Sequence, residues 1–200
     1  MIPSKRRLIA LSILLGYLSQ TALANDPYSE GLLNRPYDLR TGWRKDVHGL
    51  THIEGMHCPD WLGEMERTAI LPDIEAIGLG CTYERKRARV SAIIRQHPHG
   101  AAQPFMRELA VNFAASGFSL LKDNGLYKGM TFVTGEQNHH SIYESIWTFE
   151  GETADYTLWV SQRAPVFPEK TDKLLRDFFA LAKRVEASAK EATRSNSLQN

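Results

Sequence analysis

The chain has 200 residues, enough for one domain and too few for two comfortable ones. Hydrophobic residues make up 42% and charged residues 24%, which excludes a disordered, collagen-like or multi-pass membrane protein. Lys plus Arg is 24 against 23 for Asp plus Glu, so no bulk charge draws the chain to nucleic acid or to an anionic surface.

The N-terminus has the layout of a secretory signal peptide over residues 1–24. Lys5, Arg6 and Arg7 precede an apolar run from Leu8 to Leu18, and Ala22-Leu23-Ala24 supplies small residues for a peptidase. The run is too short to span a bilayer, which takes about 20 apolar residues. Cleavage would leave a mature chain beginning at Asn25, with 21 basic and 23 acidic residues. That predicts a periplasmic or secreted protein, not membrane-spanning after cleavage. No nucleic-acid partner is expected.

Residues 25–60 are rich in Asn, Asp, Pro, Gly and His and lack clear periodicity. They read as an extended N-terminal segment lying along a single α+β domain at 61–187. Cys58 and Cys81 are the only cysteines. An even count in an exported chain predicts a disulfide, closing a loop of 22 residues and contributing about 3 kcal/mol in the chain-entropy picture. There is no C-x-x-C, which excludes a thioredoxin-like redox motif.

Glu66–Leu71 reads as a strand. Leu79–Gln96 then reads as a hairpin with Lys86 and Arg87 at its tip. That register sets Tyr83 opposite Val90, Cys81 opposite Ala92 and Leu79 opposite Ile94 on an apolar face. Glu84 meets Arg89 and Thr82 meets Ser91 on the other. Arg85, Lys86, Arg87 and Arg89 read as a solvated tip. Pro104 in a first turn and Gly117 as a stop bracket a helix with a stripe of Met106, Leu109, Ala110 and Phe113, and with Phe105 beside it. Met130–Gly135 is a further strand.

A second hairpin turns at Glu150–Asp155. Phe149 faces Tyr156, Trp147 faces Leu158 and Ser145 faces Val160 on the core side. Ile146 faces Trp159, Glu144 faces Ser161 and Thr148 faces Thr157 on the other. A last helix from Pro168 carries the stripe Leu174, Leu175, Phe178, Leu181, Ala182 and Val185. Residues 188–200, almost without apolar side chains, read as a disordered tail.

The order β-β-β-α-β-β-β-α predicts an α+β fold, an antiparallel sheet of about five to six strands with two helices on one face. Its other face then presents Trp159, Ile146 and Ile93 among polar residues, a candidate recognition patch. On that reading Trp159→Ala leaves the fold intact and weakens partner binding.

Motifs for hydrolases, phosphate loops, zinc peptidases and dinucleotides are missing. No catalytic, cofactor-binding or metal-binding residue is assigned. Asp60 and Glu64 fit a capped first turn better than an acid pair. His48, His52 and His57 form the strongest histidine grouping for a metal, ahead of His97 with His99 and of His139 with His140, but no recognised spacing completes it. The resulting expectation is an exported, soluble binding or accessory protein of the cell envelope, acting without catalysis on an envelope protein or a small ligand. The alternatives are a hydrolase-like enzyme with an unrecognised site and a histidine-based metal-handling protein.

Overall fold

The computed structural model describes residues 36–73, 78–121, 129–165 and 168–197. The expected signal peptide and cleavage site lie outside the described residues. The fold is α+β with antiparallel sheets and two helices, and among the described residues no helix is long and apolar enough to cross a membrane.

Three short strands, β1 (Trp43–Lys45), β2 (Gly49–His52) and β3 (His57–Pro59), form a three-stranded sheet in that order. The stretch expected to be merely extended is therefore partly folded on itself. Trp43, Met56 and Cys58 join the main core, and a disulfide from Cys58 to Cys81 ties this sheet to the next. The two cysteine Cα atoms are 6.1 Å apart, and both side chains are fully buried.

The larger sheet has eight strands rather than five to six. They are β4 (Trp61–Leu62), β5 (Met65–Leu71), β6 (Gly80–Arg85), β7 (Val90–Pro98), β8 (Ser119–Leu121), β9 (Gly129–Gln137), β10 (His140–Glu150) and β11 (Ala154–Arg163). Their spatial order is β4-β5-β6-β7-β11-β10-β9-β8. The two additional strands, β4 and β8, are the short edges, too brief to show a period in the sequence.

The β10–β11 hairpin has the expected register at every pair, from Glu144 opposite Ser161 to Glu150 opposite Asp155. The two acids that close it are drawn to different donors. Glu150 Oε1 accepts from Gln103 Nε2 at 2.7 Å, and Asp155 Oδ2 accepts from the Ala102 amide at 3.0 Å. The β6–β7 hairpin differs from expectation by two residues: Tyr83 lies opposite Ala92, Cys81 opposite Ile94 and Arg85 opposite Val90. The connection is longer than a two-residue tip. A single 3₁₀ turn over Lys86–Ala88 is closed by Arg89 in the left-handed region at φ 52°. A shift of two keeps every side chain on its face, so the apolar pattern could not distinguish the two registers.

Helix α1 (Ala102–Ala115) ends at the Ser116 cap, and Gly117 follows at φ +79°, where a left-handed residue stops the helix without strain. Helix α2 (Pro168–Ser197) buries Leu174, Leu175, Phe178, Leu181, Ala182 and Val185 against Tyr83, Ile94, Leu158 and Val160. It continues well past residue 187, through the stretch expected to be a disordered tail. Ala, Lys and Glu in that stretch are good helix formers, and Lys190 reaches back to Glu152 at 2.7 Å.

The helices lie on opposite faces of the sheet, not on one. Alternation along β11 makes this plain: Tyr156, Leu158 and Val160 belong to the core under α2, whereas Asp155 caps α1 and Trp159 meets Phe113 of α1. The physical reason lies in the sheet, which is apolar on both sides. Ile146, Phe132 and Trp159 would otherwise be left in water, and the α1 stripe covers them.

Candidate functional site

The sequence-level patch of Trp159, Ile146 and Ile93 is where α1 docks. Ile146 has no exposed surface. Trp159 is half-buried, with its ring 5.7 Å from that of Phe113, and its Nε1 donates to Glu144 Oε2 at 2.5 Å. Phe113 also packs edge-on against Phe132 at 4.8 Å and Phe118 at 5.4 Å. Ile93 is half-buried beside Trp159 in the β7–β11 ladder. These residues form a second, smaller apolar layer rather than an open face.

The three histidines have separate roles. His52 is buried with its ring 5.0 Å from Trp43, and its Nδ1 accepts from the Glu54 amide. His48 is exposed. His57 Nδ1 lies 3.3 Å from Asp46 Oδ2 and 3.1 Å from Thr51 Oγ1. Burial holds the His57 imidazole below its ordinary pKa, outweighing the pull of Asp46, so the ring is neutral at pH 7. Asp46 lies below the usual carboxylate range. Burial opposes this, but the Thr51 hydroxyl, the His48 amide and His57 together favour the charged form. Among the described residues no group of three or more His, Cys, Asp or Glu is placed to hold a metal ion. Asp60 and Glu64 are likewise apart: Asp60 pairs with Arg67 Nη2 at 2.5 Å and Glu64 with Arg85 Nη1 at 2.5 Å.

A concavity lies elsewhere, at the end of the main core where the sheet and the first turns of α2 diverge. It has a volume of about 580 Å³. Its floor is apolar: Leu62, Met65, Val90, Val160 and Leu174 face it from β4, β5, β7, β11 and α2. One wall is set by the Gly63 turn, which approaches α2 so closely that a Cβ there would lie 2.6 Å from Asp177 Oδ2. The mouth is cationic, with Arg85, Arg87 and Arg89 from the β6–β7 connection, Arg163 from the end of β11, and Lys170 and Lys173 from α2. Two carboxylates line the same space, and both are engaged: Glu64 with Arg85, and Asp177 with Lys173 at 3.5 Å.

Gln162 is the unusual lining residue. It follows Leu158 and Val160 on the core-facing side of β11 and is 9% exposed. Its side-chain amide forms no hydrogen bond among the described residues. Its amide atoms are not closed off in the core but open to the cavity, where they can donate to or accept from a group that enters it.

The chain matches no protein-family model, no curated protein and no solved structure.

Sequence reasoning passed over this cavity for two reasons. Arg85, Arg87 and Arg89 have the local pattern of a solvated tip, because nothing nearby in the sequence shows that a distant helix faces them. Gln162 did carry a signal: it is the first polar residue at the inward phase after Tyr156, Leu158 and Val160.

Proposed function

We propose that this is an exported binding protein that takes a small, largely apolar ligand in the cavity between the sheet and α2. The observation that carries the reading is the cavity itself, about 580 Å³ with an apolar floor and the unpartnered Gln162 amide in its wall. That volume falls within the ~300–1,000 Å³ typical of small-molecule sites. An apolar floor supplies affinity, and one amide open to the cavity supplies orientation. No covalent chemistry is invoked. The lining has no thiol, and its two carboxylates are taken up by Arg85 and Lys173. Export is supported by the signal-like N-terminus and by the buried Cys58–Cys81 bridge, which suits an oxidising compartment.

The test is titration with the neutral apolar fluorophore N-phenylnaphthylamine. Saturable emission enhancement is expected with the native chain. Thr171→Trp, which places an indole from α2 into the cavity, should weaken it by about tenfold or more, as loss of about 1.4 kcal/mol implies. Thermal melts of both proteins establish that the variant is folded, and Ala88→Trp on the opposite lip serves as a second block. Absence of saturable binding, or equal binding by native and blocked proteins, would overturn the reading.

A further inference from the structure

Resting on that reading, we infer that the ligand is an amphiphilic acid: an apolar body on the cavity floor and a single anionic head held at the mouth by Arg87, Arg89 and Arg163. Six cationic side chains line the cavity against two carboxylates. Both carboxylates are spoken for by Arg85 and Lys173. Arg87, Arg89 and Arg163 form no ion pair among the described residues. Arg163 is half-buried at the end of β11, so its stem is held against the cavity wall while its charge has no opposite partner among the described residues. Three like charges around one mouth repel one another, and an anion that enters between them relieves that repulsion.

Two further features act in the same direction. The N-terminal turns of α2 border the mouth, with Lys170 and Thr171 lining it, and the positive end of the helix dipole adds to the field there. The arginines also suit the task. A guanidinium presents a planar fork of donors that matches a carboxylate, sulfonate or phosphate oxygen pair, whereas a neutral ligand would leave those donors to water. The charge is local: the whole chain is nearly neutral at +1, so the mouth is not the expression of a generally basic protein.

Because the floor is enclosed by α2 and the β4–β5 turn, the head group arrives on a free molecule that enters the cavity. A flat anionic lipid surface would meet the arginines without using the floor. The chemistry shared by both sources is an anionic oxygen cluster beside apolar surface, and the experiment separates them.

The probes are anilinonaphthalene sulfonate and N-phenylnaphthylamine, which share one apolar body and differ by the sulfonate. At low ionic strength the sulfonate should bind the native chain about tenfold or more tightly than the neutral probe, the size of one charge-assisted hydrogen bond. The ratio should shrink as salt is raised. In the triple variant Arg87→Gln/Arg89→Gln/Arg163→Gln it should fall to about one, with an unchanged thermal melt. Equal affinity of the two probes for the native chain would overturn the inference while leaving the small-molecule reading in place. Binding of neither probe would overturn both. Persistence of the sulfonate preference in the folded triple variant would overturn the assigned arginines. Sedimentation of the protein with vesicles of anionic phospholipid, without binding of the free sulfonate, would also overturn the inference.

Discussion

The indole Nε1 of Trp159 donates to the Glu144 carboxylate at 2.5 Å, across the β10–β11 ladder and beneath helix α1. Ser161 Oγ donates to the other oxygen of the same carboxylate at 2.8 Å. The face expected to recruit a partner is thus braced internally.

Trp159→Ala should therefore destabilise the fold, by about 2 kcal/mol or more, as large-to-small changes at packed aromatic sites do. The loss includes the contact with Phe113 and one donor to Glu144. Chemical denaturation of native and variant proteins checks this. A change of only a few tenths of a kcal/mol would return Trp159 to the role of an exposed recognition residue.

The Cys58–Cys81 bridge joins β3 of the small sheet to β6 of the large one. Cys81→Ser should cost about 3 kcal/mol, the chain-entropy value for a loop of this length. Because Cys58 and Trp43 sit in the shared core, loosening should be greatest in the three-stranded sheet. Amide exchange resolved by segment would show faster exchange at residues 43–59 than in β10 and β11.

Acid should weaken the fold through His97. Burial, with help from the nearby Arg95 charge, lowers its pKa to about 4, and its Nε2 lies 2.9 Å from Thr157 Oγ1. In the unfolded chain the ring titrates near its ordinary value of about 6.5. Between these values the unfolded state binds the extra proton, so stability rises with pH across that window. The contribution is fully present above about pH 6.5 and is lost as pH falls towards 4, amounting to about 3 kcal/mol at most. His57, also lowered by burial, adds with the same sign. Denaturation midpoints of native protein and His97→Gln between pH 7 and pH 4 should show a shallower acid slope in the variant.

Glu186 closes the far end of the molecule. Its buried carboxylate accepts from the amides of Glu152 and Thr153 at 2.8 and 2.7 Å and from Thr153 Oγ1 at 2.9 Å. It fastens α2 to the β10–β11 turn. Glu186→Ala should cost about 2–3 kcal/mol, because the turn amides lose a charged acceptor where water reaches poorly. Glu186→Gln keeps one carbonyl oxygen and should recover part of that loss. Thermal melts of the two variants measure the difference.

Local physics explains which parts were legible in advance. The β10–β11 register is specified pair by pair, since a slip of one residue would set Trp147, Phe149, Tyr156 and Leu158 on the opposite face from the core under α2. The stripes of both helices, the stop at Gly117 and the Cys58–Cys81 pair follow from periodicity, backbone freedom and cysteine count. The β6–β7 register was legible only to within two residues, because the faces are the same in either alignment.

Sequence by itself therefore determined the α+β class, the principal strands and helices, and the main core. These depend on contacts whose residue types repeat at fixed short intervals. Tertiary structure decided the rest. It placed α1 over Trp159 and Ile146, opposite α2, because an apolar pattern marks which side chains seek cover without saying which element supplies it. It also brought Arg87 and Arg89, Arg163 and the start of α2 around one cavity. That convergence joins residues some eighty positions apart through packing alone, and no local spacing encodes it.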